Sequence, residues 1–320
     1  MKFSKKLILL ITLIMILMLL FISGCTKDEI NQRDNDDSVD GKITVVATLF
    51  PQYDFARTIG GDKINVKLIL PPGVEPHSYE PTPMDVIQMN KSELFLYTGE
   101  DMEPWAFNMI QNLEAEGVLV IDLSKSIELM DSDHEHTEDD SHAKDPHYWT
   151  DPNLASVMVE DILQAILNLD SPNANYYTGN ADRLKSELSQ LDQDIRNAIE
   201  KMGSRTILSG GHFAFGYFAH RYGLISMSPY EGFSPNAEPT PKSISELIDT
   251  IKETGAKAIF YEELIDPKVA RIISEESGAE MLMLHGVHNV SQNELESGKS
   301  YVDFMYENLE NLKTGLGYND

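Results

Sequence analysis

The sequence predicts an α/β fold of two lobes, each with a mostly parallel sheet, with one long helix between them. Three observations predict it. From residue 43 onward, short β-branched and apolar runs alternate with segments of helical period, the pattern of βαβ units. The alternation stops near residue 150 and restarts after Gly203. Between those points Leu184, Leu188, Leu191, Ile195 and Ile199 form one apolar stripe at helical spacing.

The N-terminus comes first in order. Lys2, Lys5 and Lys6 precede an apolar run over 7–22. That run falls short of the about 20 residues a membrane-spanning helix needs and has the layout of a secretory signal. It ends in Ile22-Ser23-Gly24-Cys25, which resembles the lipobox of bacterial and archaeal lipoproteins. The expectation is a signal peptide over 1–24 and a lipid on Cys25. A polar tether over 25–41 would then hold the rest of the chain on the outer face of the cell membrane.

Cys25 is the single cysteine, which excludes an internal disulfide and a thiolate metal site. The remaining body must fold on apolar burial, and it is long enough for two hydrophobic cores, since single cores seldom grow past about 250 residues. The formal net charge is −27. Nucleic acid is thereby excluded as a partner, and cations are attracted.

In the first lobe, 42–171, strands are predicted over 43–48, 64–70, 94–98 and 118–121, and helices over 53–59, 83–90, 104–113 and 152–169. Residues 131–146 interrupt this order: seven acidic residues are interleaved with His134, His136 and His142, too polar for a core and therefore an exposed loop. The long helix spans 172–202. In the second lobe, 203–320, strands are expected over 206–209, 225–228, 257–261 and 281–284, separated by helices over 212–222, 243–254, 267–277 and 301–312.

Ligands bind such lobes in the crevice beyond the carboxyl ends of the strands. Five histidines, at four positions along the chain, fall there. His77 follows a strand inside a loop stiffened by Pro71, Pro72, Pro76 and Pro81. His147 precedes a helix, His212 follows a strand at Gly210-Gly211, and His285 and His288 follow the last strand. Imidazole suits Zn²⁺, which favours tetrahedral sites of nitrogen and oxygen donors.

Three motifs carry a resemblance: Pro76-His77-Ser78-Tyr79-Glu80-Pro81-Thr82-Pro83, Asp145-Pro146-His147-Tyr148-Trp149-Thr150-Asp151-Pro152, and His212-Phe213-Ala214-Phe215-Gly216-Tyr217-Phe218. They are similar to those of the zinc and manganese substrate-binding proteins of ABC transporters, the ZnuA/TroA-like group, over about residues 43–315. The resemblance implies two Rossmann-like lobes on one rigid connecting helix, the helical-backbone type of solute-binding protein, with little lobe closure. It implies that His77, His147 and His212 are metal ligands, with a fourth donor after the last strand. His288 stands where relatives carry a Glu and is preferred to His285. An Asp usually follows the third histidine in the family, and Phe213 replaces it here. Glu262 is then the candidate carboxylate to orient a ligating ring.

Imidazole at the third and fourth positions points to Zn²⁺ over Mn²⁺. The resemblance further implies a monomeric receptor that delivers its ion to a membrane permease with a cytoplasmic ATPase, and a His-rich loop that collects metal. The rival reading is a secreted zinc-dependent hydrolase, which would need an open coordination position and a general base. No His-Glu-x-x-His helix or Gly-x-Ser-x-Gly elbow is present, so no enzyme is expected.

Overall fold

The structure is a computed structural model that describes residues 41–131, 144–230 and 239–319. The expected signal, Cys25, and the loop histidines His134, His136 and His142 lie outside the described residues. No helix among the described residues is long and apolar enough to cross a membrane.

The first lobe is built on β1 (Ile43–Ala47), β2 (Ile64–Leu68), β3 (Leu94–Tyr97) and β4 (Leu119–Asp122), all parallel in the order β2-β1-β3-β4. β3 reads Leu-Phe-Leu-Tyr and is buried throughout. A strand covered on both faces reads as a continuous apolar run for this reason. α1 (Phe50–Gly60) and α5 (Pro152–Leu169) pack on one face of the sheet. α2 (Pro83–Asn90), α3 (Pro104–Phe107) and α4 (Ile110–Ala115) pack on the other, around Val46, Phe95 and Tyr97.

α6 (Ala174–Glu200) has 27 residues, which at 1.5 Å per residue makes it about 40 Å long. Tyr177, Ala181, Leu184, Leu188, Leu191, Ile195 and Ala198 bury one stripe of it. That stripe touches α1 and α5 of the first lobe and α11 (Tyr301–Gly315) of the second. Polar contacts repeat the arrangement at both ends. Asn180 Nδ2 donates to Ile59 O at 2.9 Å, and Tyr306 Oη donates to Asp194 at 2.9 Å.

The second lobe pairs β5 (Thr206–Leu208) with β6 (Ile225–Met227), and β7 (Ala258–Tyr261) with β8 (Glu280–Met283), each pair parallel. A parallel bridge between Ser209 and Phe260 links the pairs, giving the order β6-β5-β7-β8. α8 (Pro241–Thr254) and α9 (Lys268–Ser277) cover one face through Leu247, Ile251 and Ile273. α7 (Gly216–Tyr222) follows β5.

Three elements differ from the predicted pattern. The helix expected over 104–113 is two short helices, because Met109 N–H turns to Ala106 O at 2.9 Å, one residue short of the α-helical partner. The helix expected from His212 starts only at Gly216, so residues 212–215 form a loop after β5. α10 (Gln292–Ser297) was not predicted, although its capping box is legible: Ser291 and Glu294 satisfy each other's backbone N–H groups.

The cores also differ from expectation. Chain length suggested two, but the largest apolar cluster runs through both lobes, from Val45 and Leu96 through Trp149 and Leu191 to Phe260 and Phe304. Each lobe adds only a smaller outer cluster. Edge-to-face pairs fill the junction: Phe50 with Phe304 at 5.7 Å between centroids, and Phe55 with Tyr301 at 5.1 Å.

Candidate metal centre

Each histidine of interest sits on a segment that the local sequence makes rigid. His77 lies in a 3₁₀ turn, Pro76–Ser78, whose N–H groups are capped by Glu75: its carboxylate accepts from His77 N and Ser78 N, both at 3.0 Å. His147 stands just before α5, where Asp151 caps the helix by accepting from Asn153 N and Pro152 occupies the first helical position. His212 follows β5 after Gly210 and Gly211. A Cβ at Gly210 would lie 2.5 Å from Ala270 Cα, so only glycine lets the chain pass α9 there. His288 lies in the loop after β8.

These segments bring His77, His147 and His212 together. One ring nitrogen from each lies within 4.8 Å of the others, and the ring centroids are 5.1–5.5 Å apart. His77 Nε2 faces His147 Nε2 at 3.2 Å. The His288 ring stands beside this trio, its centroid 6.3 Å from that of His77 and 6.1 Å from that of His147. His285 is elsewhere. Its ring packs on Phe304 at 4.2 Å between centroids, and its Nδ1 accepts from Val287 N at 3.0 Å. Of the two alternatives after the last strand, only His288 faces the cluster.

A carboxylate stands behind three of the rings. Asp145 Oδ1 meets His147 Nδ1 at 2.8 Å, and Glu262 Oε2 meets His212 Nδ1 at 2.9 Å. Glu263 Oε1 lies 3.5 Å from His288 Nδ1. Glu262 thus meets His212 from the residue after β7, on a different segment from the histidine's own loop. Its second oxygen, Oε1, is buried, makes no hydrogen bond and lies 4.0 Å from His288 Nε2. Sequence reasoning missed Glu263 and gave Asp145 no role, although Asp145 is two residues from His147, within reach of the Asx pattern.

Electrostatics follow from burial. Burial, then the charges of His147 and His212, pushes the His77 imidazole down to about 2. Burial does the same to His147, well below its ordinary value, and takes His288 to about 3. Burial also acts against the charged form of His212, but the charge and hydrogen bond of Glu262 outweigh it and raise His212. Burial raises Asp145 and Glu263 to about 7 each. Three neutral imidazoles and one held nearer its charged form, backed by three acids, gather donors that could hold a cation, with carboxylates behind the rings.

The loop bearing His288 is tightly built. Trp149 Nε1 donates to Gly286 O at 2.8 Å, Gly286 N donates to Glu263 at 2.7 Å, and Asn308 brackets His285 through its N–H and carbonyl. Val287 takes a positive φ of 62°, a strained conformation for a β-branched residue.

Comparisons with known proteins place the chain in a family. The family model described as "Zinc-uptake complex component A periplasmic" matches residues 45–315. The high-affinity zinc uptake system protein ZnuA of Bacillus subtilis is 34% identical over 304 residues, covering 93% of this chain and 94% of its own. Among solved structures, the metal-dependent lipoprotein YcdH of Bacillus subtilis superposes with a TM-score of 0.75 at 35% identity, covering 86% of this chain and 99% of that one. The Zn(II)-bound ZnuA-like domain of Streptococcus pneumoniae AdcA gives 0.74 at 28% identity, covering 86% and 99%.

Proposed function

Because the chain belongs to the ZnuA family of zinc-uptake components, we propose that it is the extracytoplasmic zinc receptor of an ABC importer, holding the ion with His77, His147, His212 and His288. The observation that carries the reading is the convergence of His77 and His147 from the first lobe with His212 from the second, ligand nitrogens within 4.8 Å. Such donors are borderline-soft and favour Zn²⁺ over Mn²⁺. Four protein donors leave no coordination position for an activated water, so the receptor carries its ion and performs no hydrolysis on it.

The remaining parts of the reading follow from the sequence. The lipid on Cys25 anchors a monomeric receptor to the outer face of the membrane, beside a permease driven by a cytoplasmic ATPase. His134, His136 and His142 collect metal for the cleft, and His285 and Glu263 support the loop that presents His288.

Two measurements test this. Elemental analysis and calorimetry of the soluble body should give one zinc per chain, retained against an equal concentration of Mn²⁺; displacement by Mn²⁺ would overturn the assignment. Gly286→Ala tests the fourth position. Its added Cβ would lie 2.5 Å from His288 Cε1 and 2.6 Å from Nδ1. Zinc affinity should fall roughly 10–100-fold, as for loss of an orienting partner, with the fold retained by circular dichroism. Unchanged affinity would remove His288 from the ligand set.

A further inference from the structure

The other three histidines have a carboxylate at Nδ1, whereas His77 depends on how its loop is held. His77 is also the half-buried one of the four, the other three being buried. The hold on its loop comes from the opposite lobe. Asn289, buried and adjacent to His288, donates from Nδ2 to Pro71 O at 2.8 Å and to Val74 O at 2.7 Å. Its Oδ1 accepts from Val290 N at 2.8 Å, which fixes which way the carboxamide faces. Gly73 N donates to Val290 O at 2.9 Å beside it. One side chain thus ties the segment leading to His77 to the segment presenting His288.

We propose that Asn289 is a positioning residue for His77: its carboxamide, reaching across from the second lobe, holds the His77 loop in ligating geometry and sets how fast the ion escapes. This rests on the zinc-receptor reading and extends it to a residue that touches no metal. Both protons of the Asn289 amide are committed to backbone carbonyls of the His77 segment; Pro71 O accepts from Val74 N at 3.1 Å as well, within its own turn. When the amide is lost, the His77 turn keeps its Glu75 cap and the single backbone bond from Gly73 N to Val290 O, but loses both side-chain ties to the loop that presents His288.

A double-mutant cycle tests the proposal, with zinc release to excess EDTA as the readout. Asn289→Ala removes three hydrogen bonds, two of them to the His77 segment, and should speed zinc release about tenfold or more. In a His77→Ala background the same substitution should change release less than about twofold, because residues acting through one contact are not additive. Co²⁺ in place of zinc should lose intensity in its visible absorption as the site leaves four-coordination. Asn289→Asp, nearly isosteric but without the donor, repeats the cycle without opening a cavity. An equal acceleration in both backgrounds marks a merely structural role and overturns the proposal, as does unchanged release in Asn289→Ala. Failure of the unsubstituted protein to bind zinc would instead overturn the receptor reading itself.

Discussion

Replacing His212 by alanine is expected to lower zinc affinity several hundredfold. Zinc bound by four protein ligands is worth about 10–16 kcal/mol in small domains, so one donor accounts for roughly 3–4 kcal/mol. His212 bears more than its own share. It is the second lobe's member of the tight trio, and its Nδ1 is the partner of the buried Glu262. The alanine variant leaves that carboxylate without its hydrogen bond, so Glu262 should rise in pKa and the metal-free protein should also lose stability. Calorimetric titration of the variant against the unsubstituted protein measures the first effect. Deleting 131–141, by contrast, is expected to change uptake only modestly. A larger loss from the deletion than from His212→Ala would reverse the ranking of the two sites.

The second large effect is on pH. Zinc affinity is expected to fall at least about tenfold per unit as pH drops from 7 to 5.5. The sign follows from which groups hold protons in the metal-free site. His212 is raised above its ordinary value, and Asp145 and Glu263 stand at about 7, so all three hold protons in this window. A dication among the imidazoles favours the deprotonated form of each, so binding expels protons and weakens as they become more available. His77 and His288 contribute little, because burial already keeps them neutral down to about 2 and about 3. This departs from the simplest sequence-based view, in which four imidazoles near pH 6 compete with protons. Calorimetry in buffers of different ionisation enthalpy counts the protons released; a count near zero at pH 6.5 would refute the assignment.

Much of the fold was legible because it depends on local pattern. The stripe from Leu184 to Ile199 announced the long helix, and the apolar β3 announced a strand covered on both faces. The histidines after strands were legible for the same reason, since topology places strand ends at the cleft. What stayed hidden depends on chain segments far apart in sequence. Glu263 meets Gly286 N across 23 residues, and Asn289 reaches Pro71 across 218. No spacing rule encodes such pairs. The shared core was hidden likewise, because Phe50 and Phe304 become neighbours only once the long helix has brought the two lobes together.

That continuous apolar interior has a consequence for the life of the molecule in its compartment. With no disulfide to hold either half, and Trp149, Leu191 and Phe260 belonging to one body of packed side chains, the two lobes are expected to melt together in one calorimetric transition. Proteases outside the cell would then meet either a whole receptor or a chain open throughout.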